Sequence, residues 1–337
     1  MKIAVDAMGG DFGPKVTVEG ALRAAGDFGV DILLVGIEHL IKKEYDRLTP
    51  KTSRVTIINA PEAIGMGEGL LSFRKKKASS IRVGAQLVKD AQAEAFVSMG
   101  NTGAVVYISR EVLGALHGVD RPALALLVPG LAGPTLLIDV GANANCQPHN
   151  LVQFAIMGRV FMEAVMGLAN PRVGLMSIGE EKSKGNDLVR EAFDRLQSSP
   201  LRFIGNVEGK DLFSGIADVI VSDGFTGNVA LKVSEGVVES VLSMARHEIT
   251  KNIFAKLGYV LMKRHLKKIY KKVDYSEYGG AQLLGINGVC VIGHGRSNAR
   301  AIRNAVGRGR EFVSNHVQER IQSEILRYEQ ALKGASA

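Results

Sequence analysis

Ala93-Glu-Ala-Phe-Val-Ser-Met-Gly-Asn-Thr-Gly-Ala-Val-Val106 recurs, with changes, as Ala217-Asp-Val-Ile-Val-Ser-Asp-Gly-Phe-Thr-Gly-Asn-Val-Ala230. Aligned without a gap, the copies share Ala, Val, Ser, Gly, Thr, Gly and Val, and an acidic residue follows the alanine in each. Each copy opens with an apolar run of strand length, turns at Ser-x-Gly-x-Thr-Gly and enters an apolar-periodic helix. A strand running into a helix N-terminus leaves backbone N–H groups unpaired at the positive end of the helix dipole, and glycines let an anion come close. Either turn alone could be a plain connection. The duplication points to one anionic site built from both halves.

Working outward, short apolar runs alternate with helical patterns along the chain. The runs are Ile3 to Asp6, Ile32 to Val35, Val55 to Ile58, Ala95 to Ser98, Leu136 to Asp139, Val173 to Ser177, Phe203 to Ile204, Val219 to Ser222 and Val289 to Ile292. Amphipathic stretches such as Val16 to Ala25, Ile81 to Ala91, Leu151 to Met166 and Leu188 to Leu196 lie between them. This alternation predicts an α/β fold: a doubly wound, largely parallel sheet covered on both faces. Ligands of such sheets bind beyond the carboxyl ends of strands. Those ends are rich in Gly, Asn, Asp and Ser, as in Asp139-Val-Gly-Ala-Asn143 and Ser177-Ile-Gly-Glu-Glu-Lys-Ser-Lys-Gly-Asn186. No Pro- or Ser-rich linker divides the chain, so residues 1–337 read as one catalytic domain with a helical projection over residues 240–275.

The chain has 337 residues, 46% hydrophobic and 23% charged, enough for a sizeable core. Cys146 and Cys290 have no partners at metal or redox spacing, and no run reaches the roughly 18 apolar residues of a membrane span. With Met-Lys-Ile-Ala-Val-Asp entering a strand pattern at once in place of an apolar signal region, the expectation is a cytoplasmic protein. The net charge of +8 is concentrated. From Lys251 to Lys272 the chain carries eight basic residues and no acid, leaving the remainder neutral and arguing against a nucleic-acid coat. On a helix, Phe254, Leu257, Leu261, Met262, Leu266, Ile269 and Tyr270 gather on one side; Lys256, Lys263, Arg264, Lys267, Lys268, Lys271 and Lys272 take the rest. That pattern suits an anionic membrane surface or a dimer contact. The run Arg74 to Lys77 is either a solvated face or a docking patch for an acidic partner, with Ser79 or Ser80 as the cap of the helix that follows.

The P-loop reading is rejected, and several other chemistries find only weak support. Gly205-Asn-Val-Glu-Gly-Lys210 has one residue too few between its glycines for a P-loop, and Asp211 stands where Ser or Thr should hold magnesium. Gly293-His-Gly-Arg-Ser-Asn298 ends in Asn where a dinucleotide fingerprint needs a third small residue. His117, His149 and His294 belong to no HxxxH cluster and read as surface or junction residues, so no metal is indicated. There is no Gly-x-Ser-x-Gly elbow and no cysteine beside a base. The nucleophile is therefore expected to come from a substrate. Lys184, flanked by Ser183, Gly185 and Asn186, is the candidate cation for an oxyanion or phosphate; the alternative is that it and Lys182 are solvated loop cations.

The chain resembles the PlsX-type phosphate acyltransferases, acyl-acyl-carrier-protein:phosphate acyltransferases of bacterial phospholipid synthesis. The resemblance rests on Val5-Asp-Ala-Met-Gly-Gly-Asp11, Ser98-Met-Gly-Asn-Thr-Gly-Ala104, Asp120-Arg-Pro-Ala123, Asp139-Val-Gly-Ala-Asn143, Lys184-Gly-Asn186, Phe203-Ile-Gly-Asn-Val-Glu208, Ser222-Asp-Gly-Phe-Thr-Gly-Asn228 and Tyr275-Ser-Glu-Tyr-Gly-Gly280, in this order over nearly the full length. Gly65-Met-Gly-Glu-Gly-Leu-Leu-Ser72 departs from the more acidic, proline-containing loop of such proteins.

The resemblance implies that inorganic phosphate attacks the thioester of a long-chain acyl-acyl-carrier protein. It also implies an isopropylmalate-dehydrogenase-like or phosphotransacetylase-like sheet, a homodimer, and peripheral attachment to membrane by the projecting helices. Phosphate is already a nucleophile at neutral pH and a thiolate is a tolerable leaving group, so neither cofactor nor metal is expected. Lys184, Asn186 and Asn228 are then the candidate catalytic residues. Gly100, Asn101, Thr102, Gly103, Asn143, Asp223, Gly224, Thr226 and Gly227 are the candidate phosphate and substrate ligands, and Asp6, Asp139 and Asp223 are expected to brace loops. Phe254, Leu257, Leu261, Lys263, Arg264, Lys267 and Lys268 are the candidate membrane or carrier contacts. Rival readings are a short-chain phosphotransacetylase, a metal- and NAD-dependent hydroxyacid dehydrogenase, and a non-catalytic membrane adaptor.

Overall fold

The computed structural model describes residues 1–49, 52–273 and 278–335. Its strands are β1 Lys2–Asp6, β2 Asp31–Gly36, β3 Val55–Asn59, β4 Ala95–Ser98, β5 Ala123–Val128, β6 Thr135–Ile138, β7 Val173–Met176, β8 Phe203–Val207, β9 Val219–Val221, β10 Ala281–Leu284 and β11 Val289–Ile292. Its helices are α1 Pro14–Phe28, α2 Glu38–Tyr45, α3 Leu70–Lys75, α4 Ser80–Lys89, α5 Thr102–Leu113, α6 Pro148–Met166, α7 Asp187–Gln197, α8 Gly224–Lys251, α9 Ile253–Val273, α10 Ala299–Ser314 and α11 Val317–Ala335.

Several helix boundaries follow from local chemistry. Pro14 and Pro148 open α1 and α6, where a missing N–H costs nothing. Asn101, Asn186, Asp223 and Asn298 cap α5, α7, α8 and α10 by accepting first-turn amides. Ser79 holds the cap position of α4, yet its side chain makes no cap bond.

Among the described residues the strands form one sheet in the order β3-β2-β1-β4-β11-β10-β5-β6-β9-β7-β8. Side chains alternate across it: Ile3 and Val5 enter the core beneath α1, α6, α10 and α11, while Ala4 enters the core beneath α4 and α5. The sheet is largely parallel, as the alternating pattern predicts. β5 and β10, two strands the sequence pattern does not predict, make its antiparallel pairings: β10 with β11, β10 with β5, and β5 with β6. They reverse the second half relative to the first.

The register gives this reversal its consequence. One rung runs Val97, Val291, Gln282, Ala125, Ile138, Val221. Val97 is the second-last residue of β4, while Ile138 and Val221 are the last of β6 and β9. The two half-sheets therefore approach this rung from opposite directions and both end there. Their carboxyl ends meet mid-sheet.

Candidate active site

Above that rung the helical layer has a gap. α5 leaves β4 and packs against β11 on one side, α8 leaves β9 and packs against β6 on the other, and a cleft opens between them over β5 and β10. The resulting cleft, about 350 Å³, has a floor of Leu124, Leu126, Val140, Ala281 and Ile292; its sides include Thr102, Gly103, Asn228, Lys232, Glu235 and His294. Thr102 and Gly103 come from the first repeated turn and Asn228 from the second. The two turns line one cavity.

The turns do not offer the same chemistry. In the first, Asn101 Oδ1 accepts only the Ala104 amide, at 3.0 Å, and the Thr102 and Gly103 amides remain first-turn donors of α5. In the second, Asp223 takes the Phe225 and Thr226 amides at 3.0 and 2.9 Å and the Thr226 hydroxyl at 2.7 Å. A carboxylate already occupies the α8 N-terminus, so that end attracts a second anion far less. Gly224 and Gly227 serve packing: the Gly224 amide donates to the Asn143 carbonyl, and a Cβ at Gly227 would lie 1.9 Å from the Asp139 carbonyl oxygen.

Each turn is braced by a buried aspartate on the neighbouring strand end. Asp6 accepts the Ser98 hydroxyl at 2.7 Å, and Ser98 Oγ in turn accepts the Gly100 amide at 3.0 Å. Asp139 accepts five donors between 2.8 and 3.0 Å: the amides of Leu124, Gly141, Ala142 and Asn143, and Asn143 Nδ2. Burial pushes both carboxyls above their ordinary range, and these hydrogen bonds pull them back. Asn143, 5% exposed, spends its amide on Asp139 and the Pro122 carbonyl. Asn101 spends Nδ2 on the carbonyls of Met66 and Glu68, tying the 65–69 loop to the first turn. That loop is held further by Glu68, which bonds Lys76 at 2.6 Å and is brought down to about 2 by that bond and the Gly65 amide.

Other residues named from the sequence stand elsewhere. Lys184 and Asn186 lie on the exposed loop after β7, outside the lining of the cleft, and Asn186 Oδ1 is engaged by the Val189 amide. The basic run is partly neutralised within the chain: Lys76 pairs with Glu68, Lys77 with Glu111, and Arg74 stacks near Tyr107. α8 runs unbroken from Gly224 to Lys251, so the structure has no boundary at residue 240. Phe254, Leu257 and Leu261 on α9 are 79, 60 and 76% exposed, beside exposed Lys263 and Arg264. The side chains of Lys267 and Lys268, and residues 274–277, lie outside the described residues.

Sequence reasoning missed Lys232, Glu235 and His294. Lys232 is one turn beyond Asn228, and extending the helix by that turn would have found it. His294 follows β11, whose place beside β4 only the sheet order reveals. Burial holds His294 below its ordinary pKa, with Lys232 and Arg296 adding to that effect and Glu235 and Asp11 opposing it.

The architecture defines a phosphotransacetylase-like α/β protein. A phosphotransacetylase from Streptococcus pyogenes superposes with TM-score 0.59 at 18% identity, covering 95% of this chain and 94% of that one. A 4-hydroxythreonine-4-phosphate dehydrogenase from Klebsiella pneumoniae gives 0.52 at 12% identity, covering 93 and 99%. These likenesses establish the fold alone. The chain belongs to the Fatty acid synthesis protein family, whose profile matches residues 1–320. It is 50% identical to the phosphate acyltransferase of Geotalea uraniireducens (strain Rf4) over 96% of this chain and 94% of that one. It is 47% identical to the phosphate acyltransferase of Thermodesulfovibrio yellowstonii over 96 and 94%. It is an acyltransferase of the PlsX type.

Proposed function

We propose that the protein transfers a long-chain acyl group from acyl-acyl-carrier protein to inorganic phosphate, giving acyl phosphate for phosphatidic acid synthesis. The observation that carries this reading is the cleft itself: helix-N-terminal donors at Thr102 and Gly103 beside an apolar floor of Leu124, Leu126, Val140 and Ile292. An anion and a hydrocarbon chain are the two things such a cavity accommodates together.

In the step proposed, a phosphate oxygen attacks the thioester carbonyl carbon and the carbonyl electrons move to oxygen. The tetrahedral oxyanion collapses, the C–S bond breaks, and the proton that hydrogen phosphate loses ends on the carrier thiol. The protein's contribution is positioning and oxyanion stabilisation. Thr102 and Gly103 hold phosphate, Asn228 orients the thioester, and Lys184, on the loop after β7, supplies positive charge from outside the cleft lining. Incubating the protein with acyl-acyl-carrier protein and orthophosphate tests the reading. A hydroxylamine-trappable acyl phosphate is expected, with acetyl-coenzyme A a poor donor. Equal turnover of acetyl-coenzyme A would replace this reading with the short-chain one.

The exposed apolar side of α9 supports peripheral membrane attachment, and the apolar residues of α8 (Val233, Val237 and Val241 among them) support a homodimer contact beside it. No described helix is long and apolar enough to cross a membrane. Leu257→Glu with Leu261→Glu is expected to abolish sedimentation with anionic liposomes while leaving soluble turnover; undiminished sedimentation removes the membrane role.

A further inference from the structure

Lys232 is the one Lys or Arg among the described residues lining the cleft. It stands one helical turn after Asn228 on α8, so the two share a helix face, and both line the cavity that Thr102 and Gly103 also line. Its ammonium meets Glu235 Oε2 at 2.7 Å, in a pair whose lysine side chain is 58% and glutamate side chain 24% exposed. Exposed i,i+3 pairs are weak and easily exchanged. Phosphate at neutral pH carries more charge than a carboxylate and offers more acceptor oxygens, so it competes well for the same ammonium.

We propose that Lys232 is the phosphate-binding cation of this site, and that Glu235 is the counter-ion it leaves when phosphate enters opposite the Thr102 and Gly103 amides. This deepens, and rests on, the acyl-transfer reading above. The surrounding charges fit a site kept nearly neutral until its anion arrives. His294 faces both members of the pair and is held toward its neutral form, while Arg296 is engaged by Glu239 at 2.8 Å. Asp11 is the remaining acid near His294. With Glu235 as its partner, Lys232 is poised in the cleft; without phosphate it does not leave a bare cation over an apolar floor.

The test separates the two substrates. Lys232→Gln is expected to raise the KM for phosphate tenfold or more, with the KM for the acyl donor within twofold of wild type, and Lys232→Arg to recover part of the loss. Glu235→Gln removes the competitor and lowers the KM for phosphate. A second readout needs no turnover: orthophosphate alone raises the melting temperature of the wild type and of Glu235→Gln, but not of Lys232→Gln. An unchanged KM for phosphate in Lys232→Gln, or a rise in Glu235→Gln matching that of Lys232→Gln, overturns the proposal. Phosphate protection that depends on Lys232 in a protein forming no acyl phosphate would refute the acyl-transfer reading and leave the phosphate site standing.

Discussion

Gly227→Ala and Gly236→Ala place the same methyl group on the same helix, and the fold gives them opposite signs. At Gly236 a Cβ meets nothing within 4 Å, so the change only improves helix propensity, by about 1 kcal/mol. At Gly227 the Cβ would sit 1.9 Å from the Asp139 carbonyl oxygen and 2.5 Å from Ser222 Oγ, where ordinary contact begins at 3.4 Å. The start of α8 must therefore retreat by about 1.5 Å against backbone, not against a pliable side chain. Overpacking of this kind costs about 3 kcal/mol, offset by the same ~1 kcal/mol of propensity, for a net loss near 2 kcal/mol. At roughly 2 °C per kcal/mol for a chain of this size, Gly227→Ala melts about 4 °C below wild type and Gly236→Ala about 2 °C above it. Because Asn228 and Lys232 ride on the displaced turn, Gly227→Ala also loses turnover by about 10²-fold, the scale set by ångström misplacement of reacting groups. Differential scanning fluorimetry and a phosphate-dependent thioester assay read both effects. Wild-type stability in Gly227→Ala, or destabilisation in Gly236→Ala, would refute the claim that α8 is seated by backbone contact at Asp139.

Asp139→Asn turns an acceptor of five hydrogen bonds into a side chain whose amide group faces donors. A loss of about 2–4 kcal/mol is expected, seen as a lower urea midpoint, and a wild-type midpoint would show that the loop does not depend on the carboxylate. Glu68 has a native pKa of about 2 against an ordinary 4.5, so its contribution is full above the ordinary value and fades as pH falls from there toward 2. Its side chain is 30% exposed, which limits that contribution to about 1 kcal/mol. The stability advantage of wild type over Glu68→Gln should therefore be present at pH 6 and gone near pH 2; an advantage independent of pH would mean that packing, not charge, holds the 65–69 loop.

Most parallel strands were legible because a helix follows each, β8 being the exception, and the change of period from 2 to 3.6 marks the junction. β5 and β10 have no such partner. Ala123-Leu-Ala-Leu-Leu-Val128 is buried along its whole length, so it shows no alternation, and Ala281-Gln-Leu-Leu284 is four residues long. Both are joined to neighbours by hairpin pairing. What escaped with them was the direction of the second half-sheet, and with it the reason two distant turns share a cavity. β4 and β9 stay four strands apart in either arrangement, but the reversal turns their carboxyl ends toward each other across the sheet. It ends both halves on one rung, and α5 and α8 then flank the cleft over β5 and β10.

The site was legible in its backbone and much less so in its side chains. Ser-x-Gly-x-Thr-Gly announces amides at a helix start, and Thr102 and Gly103 line the cleft as that pattern requires. Which asparagines are available is decided by tertiary contacts that no spacing records: Asn101 is spent on the 65–69 loop, Asn143 on Asp139, and Asn186 on its own helix. The copies also differ in where the helix is capped: Asn101 aligns with Phe225 and Asp223 with Met99, so the second helix starts two residues earlier in the repeat. The first turn is capped by Asn101, a neutral acceptor that takes one amide, and the second by Asp223, a carboxylate that takes two and satisfies the helix dipole itself. A duplicated anion turn can thus be divided by the identity of its cap: the neutral cap leaves the helix start to a ligand, while the acidic cap fills it. The second copy is then free to contribute what lies beyond its turn, Asn228 and Lys232 on the first exposed face of α8.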